Sequence, residues 1–234
     1  MDRFLQSLGP FTALDLAAVL VLVVGWTGIT LLIEHAPRRF PSTSTLMAQY
    51  RREWMTQMVL RDPRIFDSQL IGQLRQGTSF FASATLLAIG GTLALLGDVE
   101  RLIGVADDLT SVTEPVFVWE VKILAIVAFL ANAFLKFVWS NRLFGYCAVL
   151  MGAVPNTSDD PAAPMRAGKA AEVNITAARG FNRGLRSLYF ALAAAAWIVG
   201  PVALLLAVAI TLAVLLRREF ASESRAVLMR PDRA

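Results

Sequence analysis

The stretch from Val116 to Pro155 reads VFVWEVKILAIVAFLANAFLKFVWSNRLFGYCAVLMGAVP. It opens as an apolar run long enough to cross a bilayer, yet carries Glu120, Lys122, Asn132 and Lys136 inside it. As a helix, residues 116–139 rise about 36 Å, against a hydrocarbon core of about 30 Å. At roughly 100° per residue, Lys122, Ala125, Phe129, Asn132, Ala133, Lys136 and Ser140 fall on one face. Ionisable groups facing lipid are costly, so that face is expected to turn toward other helices, a water-filled cavity or a partner. Ile123, Ile126, Val127, Leu130 and Phe134 are left for lipid or apolar neighbours.

The rest of the chain supports a membrane reading. Of 234 residues, 56% are hydrophobic and 17% charged, and the mean hydropathy is +0.57. Soluble domains are less apolar and carry more charge. The formal charge of +4 is small and spread over the loops. Anionic lipid headgroups suit it better than nucleic acid. A single cysteine, Cys147, excludes an internal disulfide, and with a single histidine, His35, it leaves no Cys/His zinc cluster. Carboxylate metal sites stay open on that count, and no cofactor is implied.

In chain order, residues 13–33 form the first apolar run. It is too long for a signal-peptide core and lacks a cleavage pattern, so it reads as a retained transmembrane helix. Gly25 and Gly28 offer close approach to a neighbour, and Asp15 lies near one end. Residues 34–77 form a polar connection rich in Arg. Ser42 can cap a helix running to about Arg61, with Leu46, Tyr50, Trp54 and Met58 as its stripe. Asp62-Pro63 breaks the chain, and a second helix begins there and runs into the apolar segment 78–97. Ser79/Ser83 and Gly90/Ala94 are pairs suited to tight packing. The third span is 116–139. In the connection 140–187, a helix starts near Ala162, although Gly180 and Gly184 weaken it. The last apolar run, 188–216, holds Gly200-Pro201. Two halves of 13–15 residues are too short for full crossings, so a single helix bent at Pro201 is expected.

Orientation follows from Lys and Arg. The connection 98–115 has Arg101 alone among its acidic residues, whereas residues 34–78 hold seven Arg and 140–187 six basic residues. The two basic connections are thus cytoplasmic and the acidic one outside. Four crossings put the tail outside as well, although its five Arg sit poorly with the rule. The expected fold is all-α: an integral membrane four-helix bundle, one membrane domain over 1–234, with cytoplasmic helical extensions and a plasma-membrane location of the bacterial inner-membrane type.

The runs WMTQMVLRDPRIFDSQL, GTSFFASATLLAIGGTLALLG, FLKFVWSNRLFGYCAVLMGAVP and FNRGLRSLYFALAAAAWIVGP occur together and in this order. Over roughly residues 15–220 the chain resembles an uncharacterised multi-pass membrane family of bacteria and plants, domain-of-unknown-function family 599. The resemblance implies a mostly helical membrane protein and carries no catalytic residues across.

Two polar groups are candidate sites. Lys136, Arg142, Tyr146, Asn182 and Arg186 can gather where the third and fourth spans meet the cytoplasm, and there hold phosphate headgroups or an anionic solute. The plainer alternative is a snorkelling lysine and anchoring arginines. Lys122 can pair with Asp15, or with Glu120 of a neighbouring subunit, and either line a solute path or neutralise charge inside the bundle. His35 reads as a helix-end residue and Cys147 as a packed side chain. Asn174-Ile-Thr matches a glycosylation acceptor, but on a cytoplasmic connection the match is empty. Neither a GxxxxGK loop nor an HExxH motif occurs. The expected role is a non-enzymatic subunit, either a homo-oligomer or an accessory part of a membrane complex. A small transporter or channel subunit is the alternative, and an enzyme handling lipid phosphate is third.

Overall fold

The first three apolar runs each become a helix longer than the run itself, because flanking polar residues continue the same backbone hydrogen bonding. The computed structural model describes residues 10–97, 99 and 115–231. In chain order they form α1 (Ala13–Glu34), α2 (Thr43–Val59), α3 (Ile65–Leu96), α4 (Val116–Gly152) and α5 (Ala162–Ala195). A 3-10 turn (Ala196–Ile198), α6 (Pro201–Phe220) and α7 (Glu223–Leu228) complete the chain. Among the described residues there is no strand. Four helical segments are long and apolar enough to cross a membrane: α1, α3, α4 and Pro201–Leu228. The acidic connection, apart from Val99 and Pro115, lies outside the described residues, as do Arg3 and Arg233.

Local chemistry sets the helix ends. Thr12 and Asp15 cap α1 reciprocally: the Asp15 N–H donates to Thr12 Oγ1 at 3.1 Å, and the Thr12 N–H to Asp15 Oδ2 at 3.0 Å. Ser42 caps α2 by accepting from the Thr45 N–H at 3.2 Å. Its hydroxyl also donates to the Ile33 carbonyl at 2.9 Å, satisfying an end group of α1. Pro63 separates α2 from α3, and α3 then runs unbroken into its apolar half.

The chain divides into two compact units. The first comprises residues 1–31, 85–133 and 185–216; the second comprises 32–84, 134–184 and 217–234. At 37 residues, α4 rises about 55 Å, well beyond a core of about 30 Å, and it contributes residues to both units.

In the first unit, Trp119 and Ile123 pack with Val99, beside Leu96, Val127 and Ile198. Trp26 meets Phe129 edge-on at 5.2 Å, and Phe129 stacks with Phe190 at 6.3 Å. The outer surface is apolar: Leu20, Leu87, Leu124, Leu192, Leu206 and Ile210 are all exposed. On α4, Ile123, Ile126 and Leu130 are buried among apolar neighbours along with Lys122 and Phe129, and the exposed stripe is Leu124, Ala128, Leu135, Val138 and Trp139. A helix with neighbours on more than one side buries more than one face.

The second unit has a core of its own. Met55, Met58, Ile71, Phe144, Cys147 and Met151 pack against an alanine face of α5 that includes Ala163, Ala167, Ala170 and Ala177. Phe137 lies 5.5 Å from both the Phe81 and the Phe181 ring. Gly180 and Gly184 do not interrupt α5; they let it approach α4. A Cβ at Gly180 would lie 3.5 Å from Ser140 Cβ, and the Ser140 hydroxyl donates to the Ala177 carbonyl at 2.7 Å.

The largest departure is at the end of the chain. The expected single helix over 188–216 is two helices, parted at Gly200, whose φ of 144° is open to glycine and strained for other residues. The chain enters the first unit at residue 185 and returns to the second at 217. There Phe220 stacks on Phe40 at 5.8 Å, and Arg225 Nε donates to the Pro41 carbonyl at 2.8 Å. The tail therefore shares a unit with the basic connections, not with the acidic side expected for it. Apolar run length was a poor guide here: α5 extends 34 residues, with Asn182 half-buried and Arg186 buried.

Candidate functional site

In the first unit Asp15 and Lys122, which the sequence suggests as partners, are both buried, with Trp197 against Asp15 and Trp119 against Lys122. Lys122 sits one turn after Trp119, is 1% exposed, and has its Nζ 5.0 Å from the Trp119 ring centre. Asp15 is 5% exposed. It accepts from Thr12 Oγ1 at 2.6 Å and from Trp197 Nε1 at 2.8 Å, and Lys122 acts on it electrostatically. A carboxylate this deep needs such donors, since burying an uncompensated charge costs several kcal/mol, on the order of the whole stability of a small protein. Glu120 is half-buried and stands outside this cluster. Asn132 donates to Ser187 Oγ at 2.6 Å, and Arg186 beside it is 3% exposed. The Trp197–Asp15 and Asn132–Ser187 contacts join one helical segment to another, whereas Trp119–Lys122 and Thr12–Asp15 stay local. Trp197 and Thr12 were not expected in the cluster, although Thr12-x-x-Asp15 has the spacing of a capping box.

In the second unit the expected cytoplasmic cluster comes apart. Arg142 and Tyr146, both exposed on α4, pair with each other: Arg142 Nε donates to Tyr146 Oη at 2.6 Å, and its Cζ lies 5.6 Å from the ring centre. Asn182 turns elsewhere, donating to Ser44 Oγ at 3.4 Å, and Ser44 in turn donates through its hydroxyl and its N–H to Glu219 at 3.0 and 3.1 Å. Lys136 is half-buried on α4. Arg186 falls in the other unit.

Other polar side chains fasten this unit. Asp67, fully buried, accepts from Trp54 Nε1 at 2.7 Å and from Arg61. Arg64 donates to the Val154 and Pro155 carbonyls at 2.7 and 2.6 Å. Arg183 forms a two-pronged pair with Glu34, which raises the Arg183 pKa. Cys147 is buried, with its Sγ 3.4 Å from the Ala170 carbonyl, as a packed side chain should be. Asn174, of the acceptor-like motif, is buried as well, and Arg51 donates to it. Burial depresses the Arg51 pKa.

Arg75 is the polar residue that sequence reasoning passed over. It is exposed on α3, with its Nε 3.5 Å from Asn141 Oδ1 and its Cζ 3.9 Å from where a Cβ at Gly145 would lie. Asn141 is held in turn by its donation to Ser79 Oγ. Among the described residues no group of three His, Cys, Asp or Glu side chains could hold a metal ion.

Membrane-length apolar helices with charged side chains turned onto one another define a polytopic α-helical membrane protein. The chain belongs to the family described as Protein of unknown function, DUF599, whose model matches residues 17–224. Comparison with curated proteins and with solved structures gave no match.

Proposed function

We propose that this protein is a non-catalytic membrane subunit that works in an assembly, as a homo-oligomer or as an accessory part of a larger complex. The reading rests on one observation above others, the unused packing surface of α3. Only 6% of its most apolar stretch is buried, against 33% for α4. Its small residues Ser83, Gly90, Gly91 and Ala94 are exposed, and a Cβ built on Gly90 or Gly91 would meet nothing within 4 Å. Lipid packs well against large side chains, whereas a face of small residues favours a second helix.

The orientation follows the charge. Of the 19 Lys and Arg among the described residues, 17 belong to the second unit, and only Lys122 and Arg186 to the first. The positive-inside bias then assigns the second unit, C-terminal tail included, to the cytoplasmic side of a plasma membrane. A solute path through Lys122, Asn132 and Lys136 has less support, because Lys122 is buried against Trp119 and Asn132 donates to Ser187 on the neighbouring helix.

Cross-linking and native mass spectrometry of the full-length protein in native nanodiscs test the assembly. A defined oligomer or a stoichiometric partner supports it, and a monomer with no companion rejects it.

A further inference from the structure

We infer that Arg75 and Arg142 form a binding site for the phosphate of an anionic phospholipid, on the membrane-facing surface shared by α3 and α4. The inference refines the membrane reading above by naming a lipid partner and its site.

The two guanidinium groups are prepared in the same way. Each has its Nε turned toward a neutral oxygen, Asn141 Oδ1 for Arg75 at 3.5 Å and Tyr146 Oη for Arg142 at 2.6 Å. Asn141 and Arg142 are consecutive on α4, so the two arginines flank one turn of that helix. Gly145 leaves open the space over which Arg75 lies. No ion pair joins either arginine to a carboxylate among the described residues, in contrast to Arg52, Arg61 and Arg183. Both side chains are exposed, and the Nη edges remain to grip a phosphate oxygen pair, the geometry guanidinium is suited to.

Depth and surroundings select a lipid over a soluble anion. Arg142 lies about 39 Å along α4 from Val116, and Arg75 about 32 Å along α3 from Leu96, both past a core of about 30 Å and within the headgroup region. Toward the core from Arg142, the exposed face of α4 continues as Trp139, Val138 and Leu135, which are 53%, 45% and 64% exposed. An acyl chain can lie along these residues while the phosphate stays at the arginines. Trp139 and Tyr146 have the amphipathic rings favoured at that depth.

The test is native mass spectrometry of the full-length protein, released from nanodiscs of phosphatidylcholine with or without phosphatidylglycerol. Lipid is read per protein chain, so the result stands whatever the oligomeric state. Wild type is expected to retain one phosphatidylglycerol preferentially. Arg75→Gln and Arg142→Gln should each weaken retention about tenfold, the scale of one charge-assisted hydrogen bond. Tyr146→Phe should weaken it less, since it loosens Arg142 without removing charge. Arg52→Gln, on an exposed pair elsewhere, controls for loss of charge and should change nothing. Equal retention by wild type and the double variant overturns the site. Displacement of the lipid by millimolar inorganic phosphate also overturns it, in favour of a soluble anion. Thermal melts of each variant separate loss of the site from loss of fold.

Discussion

Gly184 on α5 faces Phe137 on α4 so closely that a Cβ at residue 184 would lie 2.6 Å from the ring's Cε1. Phe137 is fully buried and has the Phe81 and Phe181 rings at its sides, so it has no room to withdraw. Gly184→Ala is therefore expected to cost about 1–3 kcal/mol through overpacking. Trimming the partner, as in Phe137→Leu with Gly184→Ala, should recover part of that loss. Thermal melts of the purified protein in nanodiscs measure both, and an unchanged single variant would contradict the close approach.

Asp15 is the acceptor that Thr12 and Trp197 share in the first unit. Asp15→Ala removes it and leaves the Trp197 N–H buried without its acceptor, a cost of about 1–3 kcal/mol. Lys122→Met in wild type removes a positive charge that acts on Asp15, whereas in an Asp15→Asn background that carboxylate charge is already gone. The Lys122 substitution should therefore be milder in the second setting. A double-mutant cycle with a coupling above about 0.5 kcal/mol identifies the two as one electrostatic unit, and strict additivity would separate them.

Gly200 holds the turn between α5 and α6 at a φ of 144°. No neighbour crowds the position, so Gly200→Ala reports backbone strain alone. The expected loss is about 1–3 kcal/mol. A melt indistinguishable from wild type would mean that the chain passes residue 200 in an ordinary conformation.

The return of the tail can be caught chemically. With Cys147→Ser as background, Phe40→Cys and Phe220→Cys place thiols where two stacked rings now meet. A short bis-maleimide should join them within one chain. Absence of that cross-link, with both thiols reactive to a monofunctional reagent, would return the tail to the opposite side.

The Arg183–Glu34 pair illustrates a weak contribution despite good geometry. Arg183 is 44% exposed along its side chain, so solvent competes for the pair. Arg183→Gln is expected to cost less than about 1 kcal/mol, screened further by salt. A melt lowered by much more would show that the pair is protected from water.

Much of this was legible in the residues alone, because the cost of placing a side chain in hydrocarbon is nearly additive along the chain. The apolar runs marked α1 within a residue, the end of α3 and the start of α4, and Ser42 and Asp62-Pro63 marked where α2 begins and ends. Lys122 on an apolar helix required a partner, and Asp15 was one of two available. What hydropathy could not reach was anything that depends on which helix lies beside which. Gly180 and Gly184 look like helix breakers until α4 is set against them. Gly200-Pro201 permits a bend or a reversal, and only the packing of Phe220 on Phe40 decides for reversal. Arg142 could have joined Asn182, but Tyr146 lies one turn away while Asn182 is turned toward Ser44. Such choices are made by shape and hydrogen-bond geometry between segments distant in sequence, which local composition does not encode.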